Sequence, residues 1–241
     1  MNSEILLYSI LILILLSTSL ANRINLYSTT MKRTYLYINS KVSLSKNVYL
    51  YSLKIALYSI LMYIAVVLIG NISDIDISIL KFSTNENIFK CFIELIASLM
   101  ININIFFLSN ILIISILLNK NLNKIISDIK WIQCDDEYSI YTKIIRPILI
   151  GIVESIMYSC ILIKLSIDVL NIDFFSSIII TALVYGICKA LMMKDNTHKL
   201  VMLMFGFFIA MTGSLLYGVT ENIIYTSLLY IFNISFWVFK R

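Results

Sequence analysis

Arg146 to Leu165 reads RPILIGIVESIMYSCILIKL. The stretch opens with the only proline in the protein, Pro147, and then runs almost wholly apolar around one carboxylate, Glu154. About 20 such residues in a helix rise about 30 Å, the thickness of a bilayer's hydrocarbon core. An ionisable group in the middle of a span costs at least ~2.5 kcal/mol to insert, which marks it as a candidate functional centre. At ~1.5 Å per residue, Glu154 stands about 12 Å in from Arg146. The rest of the chain is read by asking what surrounds that glutamate.

The 241 residues are 60% hydrophobic, with a mean hydropathy of +0.91. A soluble domain carries roughly 45–50% apolar residues. Backbone polar groups cannot stay unpaired in lipid, so apolar runs of this length are helices or a closed barrel. Their unbroken hydrophobicity lacks the alternation of barrel strands. The expectation is an all-α, polytopic transmembrane bundle. Isoleucine, asparagine, lysine and tyrosine are over-used even in loops, so single Asn or Lys residues carry little weight alone. Cys91, Cys134, Cys160 and Cys188 show no CxxC spacing and read as small apolar fillers of buried helices. The net charge of +5 lies in the loops, where it sets topology and gives no sign of nucleic-acid binding. With His198 as the only histidine, no histidine-rich zinc site is available, and no cofactor is expected.

Seven spans are predicted. The first covers residues 5–21; its only early charge is Glu4, so it lacks the basic start of a signal peptide. Arg23, Lys32, Arg33, Lys41, Lys46 and Lys54 follow, which places that loop in the cytoplasm and the N-terminus outside. The second span is roughly 54–70, and Asp74, Asp76 and Glu86 lie beyond it with Lys81 and Lys90, on the outer side. The third run is Cys91 to Leu118, with Glu94, Ser98 and Asn102 on one face. Residues 119–146 follow, with Lys120, Lys124, Lys130, Lys143 and Arg146. Leu122, Ile125, Ile126, Ile129 and Ile132, beside Trp131, suit an interfacial helix, and a plain structured linker is the alternative. The fourth span is the opening stretch, and the fifth runs from Phe174 to about Met193. The sixth is about Leu200 to Val219. The seventh is Asn222 to Phe239, ending at Lys240 and Arg241 in the cytoplasm. Residues 1–145 form an N-terminal region of three spans, and 146–241 a core of four.

Polar residues converge on that core. Gly151, Glu154 and Tyr158 share a face of the fourth span, with Ser155 beside them. Ser177, Thr181, Tyr185 and Lys189 recur every fourth residue on the fifth, and Asn222, Thr226, Asn233 and Trp237 share a broad face of the seventh. Glu94, Asn102 and Tyr158 are expected in the polar core. Two roles are open. A desolvated glutamate can serve as a general base, whereas polar side chains between membrane helices also act as glue worth ~0.6–2 kcal/mol each.

Over about residues 145–240 the chain resembles the CPBP intramembrane proteases, the CAAX-processing and bacteriocin-processing endopeptidases also called Abi. That family reads EExxxRG, then FxxxH about thirty residues later, then HxxxN on a late helix. The first motif falls on Glu154 to Cys160 and the second on Tyr185 to Lys189. A family-like TGSLL follows at Thr212 to Leu216. The third motif falls on Asn222 and Thr226 by spacing, or on Leu229 and Asn233 by its closing asparagine. The second glutamate is replaced by Ser155, the arginine by Ser159 and the second-motif histidine by Lys189. The third motif has no histidine in either placement.

In the family the glutamate activates water with histidine support. The resemblance therefore implies Glu154, Tyr185, Lys189 and Asn222 as the degenerate catalytic positions. An ammonium at Lys189 would favour the charged carboxylate, the opposite of what a general base needs. Two dispositions are open to Lys189: an ion pair with Glu154, or snorkelling to the cytoplasmic interface.

The leading functional expectation is a catalytically impaired scaffold or peptide-immunity partner in the cell membrane. Its partners would be membrane lipid and a hydrophobic peptide or another membrane protein. An active glutamate-dependent endopeptidase is one alternative. The permease subunit of a small peptide exporter is another; it would need a separate ATPase, since the chain has no GxxxxGK[ST] sequence.

Overall fold

A computed structural model of the chain describes residues 3–21, 29–42, 46–73, 87–129, 140–168 and 170–239. The acidic loop with Asp74, Asp76 and Glu86, the Trp131–Ile132 part of the amphipathic segment, Arg23, Cys134, Lys240 and Arg241 lie outside those residues. Among the described residues all regular structure is helical. The helices are α1 (Ser3–Ala21), α2 (Thr29–Asn39), α3 (Lys46–Ser73), α4 (Ile88–Leu117), α5 (Leu122–Asp128), α6 (Lys143–Asp168), α7 (Phe174–Leu191), α8 (Asn196–Thr220) and α9 (Ile223–Phe239). Four of them, α4, α6, α7 and α8, are long and apolar enough to cross a membrane. The apolar stretches of α1, α3 and α9 are shorter: Tyr8–Ser17, Val48–Leu61 and Ile223–Phe236.

Short polar side chains set the helix starts. Asn87 Oδ1 accepts from Phe89 N at 2.9 Å to begin α4, and Asn121 Oδ1 accepts from Lys124 N at 3.1 Å to begin α5. Asp173 Oδ1 accepts from Ser176 N at 3.0 Å at α7, and Asp195 Oδ1 accepts from Thr197 N at 2.8 Å at α8. Each satisfies a backbone donor that the helix itself leaves unpaired. Those bonds favour the ionised form. Bonding to Ser176 holds the Asp173 carboxyl below the usual carboxylate range, and the His198 and Thr197 amides do the same for Asp195. Pro147 has no N–H to donate, and a wide π-helical segment, Tyr141–Ile145, runs directly before the α-helical turns that contain it.

The centre of the bundle is α6 to α9. Met157, Tyr158 and Leu162 of α6 meet Ala182 and Tyr185 of α7, Phe205 and Ile209 of α8, and Tyr230 and Ile234 of α9 in one buried core. Leu11 and Leu15 of α1 and Phe106 of α4 join it from the flanks. α4 packs on α8 and α9, and α1 on α7 and α3. The outward side of α4 stays apolar, with Phe89, Phe92, Ile96, Met100 and Leu108 exposed. Such a face suits lipid rather than water. α5 is only seven residues long, with Leu122 buried, while Lys124 and the preceding Lys120 lie at the surface.

Candidate functional site

Glu154 closes the first α-helical part of α6, and the next eight residues, Ser155–Leu162, wind as a π-helix. A π segment changes which residues share a face, and such segments occur often at functional sites. Here it turns Ser155, Tyr158 and Ser159 all inward, each fully buried.

Both oxygens of the Glu154 carboxylate are engaged. Lys189 Nζ donates to Oε1 at 2.5 Å, and the Tyr185 hydroxyl donates to Oε2. Glu154 and Lys189 are each about 1% exposed. Of the two dispositions open to Lys189, the structure therefore has the ion pair. The ammonium also stands over the Tyr185 ring, 5.1 Å from its centroid, a cation–π contact that adds to the same cluster.

Aromatic rings wall the pair. Tyr158 and Tyr185 have centroids 4.4 Å apart, and Tyr185 and Tyr230 5.7 Å. The Tyr58 hydroxyl of α3 and that of Tyr158 lie in each other's electrostatic reach and in that of Glu154 and Cys188. Neither makes a hydrogen bond of normal geometry with the described residues.

α7 and α8 approach closely at this level because Gly186 faces Gly206. A Cβ on Gly206 would come within 2.9 Å of Gly186 Cα and 3.0 Å of Lys189 Cγ. The missing side chains let α8 seal one side of the lysine stem. On the other side α6 and α9 are stitched by hydroxyls: Ser155 Oγ to Ser227 Oγ at 2.7 Å and Ser159 Oγ to the Tyr230 hydroxyl at 2.9 Å. A Cβ on Gly151 would fall 2.9 Å from Ile231 N, so this pair of helices also touches backbone to backbone.

The other expected site residues stand elsewhere. Tyr158 is in the cluster, but Asn222 begins α9, where its Oδ1 accepts from Ile224 N at 2.8 Å. Ile223 packs with Cys160, six residues beyond Glu154, so Asn222 sits about 9 Å of helix rise away from the carboxylate level. The alternative placement does not reach it either. Leu229 packs with Leu95 and Leu216, and Asn233 Nδ2 donates to Leu229 O. The α9 residue in the Glu154 layer is Tyr230. On α4, Asn102 is buried and Glu94 half-buried. Arg146, expected at the cytoplasmic border of its span, is 2% exposed.

Sequence reasoning missed Tyr58 and Tyr230. Fifteen tyrosines are spread through the chain, so no spacing singles these two out. No group of three or more potential metal ligands occurs among the described residues.

A family model described as "Family of unknown function (DUF5968)" matches residues 88–240. No curated protein and no solved structure matches the chain. The matched region begins with the first residue of α4 and takes in Glu154, Tyr185, Lys189 and Tyr230. It covers well over half of the protein, and the chain belongs to this family, DUF5968.

Proposed function

We propose that this chain is a multi-pass protein of the cell membrane, with about seven spans, the N-terminus outside and the C-terminus in the cytoplasm. In this reading it is a divergent relative of the CPBP proteases that works without catalysis, as a scaffold or peptide-immunity partner recognising a hydrophobic segment. The observation that carries the reading is the occupancy of Glu154. A general base must be within hydrogen-bond reach of the water it activates and free to take its proton. Lys189 and Tyr185 take one carboxylate oxygen each, inside a cluster that α8 and the tyrosine rings close on those two sides.

The test uses the purified full-length chain in vesicles with a hydrophobic, photo-cross-linkable peptide long enough to span them. The expected result is cross-linking to the protein with the peptide intact. A cleavage product that the wild type makes and Glu154→Gln does not would overturn the non-catalytic reading in favour of the endopeptidase. Absence of any cross-link would overturn peptide recognition.

A further inference from the structure

α7 carries one polar side chain per turn along its buried face: Ser177, Thr181, Tyr185 and Lys189, each 1% exposed or less. The stripe rises about 18 Å, more than half of a bilayer's hydrocarbon thickness. At one end the Ser177 hydroxyl donates to Ile172 O at 3.4 Å, beside exposed Asp173. At the other, Lys189 is five residues from exposed Lys194. The stripe therefore connects the two ends of the helix.

Its hydroxyls are not all used as glue. Thr212, Thr220 and Thr226 turn back onto the carbonyl four residues earlier, at 2.8, 2.7 and 3.3 Å. Thr181 does not: its Oγ1 is buried and has no hydrogen-bond partner among the described residues. The Tyr58 and Tyr158 hydroxyls, beside Glu154, face each other and the Cys188 thiol without a hydrogen bond of normal geometry among the described residues. A buried hydroxyl of this kind is a seat for water, and a bridging water spans the ~6 Å rise between i and i+4 positions. Chains of carboxylate and hydroxyl groups inside membrane proteins are proton relays.

We propose that the Ser177–Thr181–Tyr185–Glu154–Lys189 column conducts protons, with water bridging Tyr185 to Thr181 and Thr181 to Ser177. Lys189 releases a proton to water on the Lys194 side and becomes a neutral amine. Tyr185 hands its hydroxyl proton to Glu154 and takes one from the water beside Thr181. Glu154 then passes a proton to the Lys189 amine. The water beside Thr181 is reprotonated from the Asp173 end through the Thr181 hydroxyl, the second bridging water and Ser177. Water, phenol, carboxylate and ammonium are all restored, and one proton has moved along the column. The titratable groups facing Glu154 are Tyr185, Cys188 and Lys189 of α7, Tyr158 of α6, Tyr58 of α3 and Tyr230 of α9.

The proposal does not depend on the scaffold reading, because the assay contains no peptide. The full-length chain is placed in vesicles that enclose a pH-sensitive dye, and a potassium gradient with valinomycin drives protons inward. Acidification several-fold faster than in empty vesicles is expected. Thr181→Val, which keeps the side-chain shape and leaves the ion pair intact, should cut the protein-dependent flux at least tenfold, and Glu154→Gln should do the same. Thr212→Val, whose hydroxyl bonds within its own helix, should conduct like the wild type. Wild-type flux equal to that of empty vesicles, or full flux through Thr181→Val, overturns the proposal.

Discussion

Lys189 Nζ lies 2.5 Å from Glu154 Oε1 across 35 residues of chain, with both side chains at 2% exposure or less. Removing one member of such a pair strands a buried charge, which costs about 3–5 kcal/mol. Lys189→Met leaves a carboxylate that can neutralise itself by taking a proton, so its loss should fall at the lower end. Glu154→Gln leaves an ammonium that can likewise neutralise itself by losing a proton, so its loss should be similar. The double variant Glu154→Gln, Lys189→Met should recover most of the stability. Unfolding of the four proteins in detergent measures this. Losses that simply add, or two neutral single variants, would remove the pair from any account of this fold.

The α7–α8 crossing gives a second expectation. Gly206→Ala places a methyl within 3.0 Å of Gly186 Cα, Tyr185 O and Lys189 Cγ. Two of those atoms are backbone and cannot step aside, so a loss of about 1–3 kcal/mol is expected. Gly218→Ala meets only the Phe174 ring, whose side chain can swing away, and should cost less. Equal losses at the two sites would mean that the helix approach at Gly206 is looser than described.

Tyr230 should act through its hydroxyl as well as its ring. Tyr230→Phe removes the 2.9 Å bond to Ser159 and leaves Ser159 with Ser214, 3.5 Å away. A loss of about 0.5–1.5 kcal/mol is expected. Adding Ser159→Ala to Tyr230→Phe should then change little, because the bond is already gone. A full second loss in the double variant would show that the two hydroxyls act independently.

The capping carboxylates predict an acid dependence. Asp173 and Asp195 are held below the usual carboxylate range by their hydrogen bonds to the starts of α7 and α8. A depressed folded-state value means the contribution is present above the unfolded value of ~3.9 and is lost as pH falls through the folded value. The wild type should therefore lose thermal stability from about pH 4 downward. Asp173→Asn with Asp195→Asn keeps the capping oxygens and should flatten that part of the profile. A double variant that declines as steeply as the wild type would assign the acid loss to other groups.

Much of this arrangement was legible in the sequence for simple reasons. A charge inside an apolar run is conspicuous, so Glu154 and Lys189 stood out, and the i+4 recurrence on α7 put Tyr185 on the Lys189 face before any coordinates. Helices cover each of the seven expected segments, because turn-forming Asn and Asp residues punctuate the apolar runs. The choice between pairing and snorkelling was not legible, since it depends on how closely α6 meets α7. Nor was the π segment after Glu154, which leaves no mark in residue type. Asn222 shows a different ambiguity. A polar residue at the start of an apolar run reads equally well as a core group or as a helix cap, and here it caps.

The interval between Glu154 and Lys189 also orders events during synthesis. Glu154 leaves the ribosome first, in a segment whose nearest cations, Arg146 and Lys164, stand at its two ends, and its counter-charge emerges only 35 residues later. Neither α6 nor α7 is a comfortable passenger in lipid by itself. The two are expected to be held at the insertion machinery until both are made, and then released into the bilayer as one hairpin with the Glu154 and Lys189 charges paired.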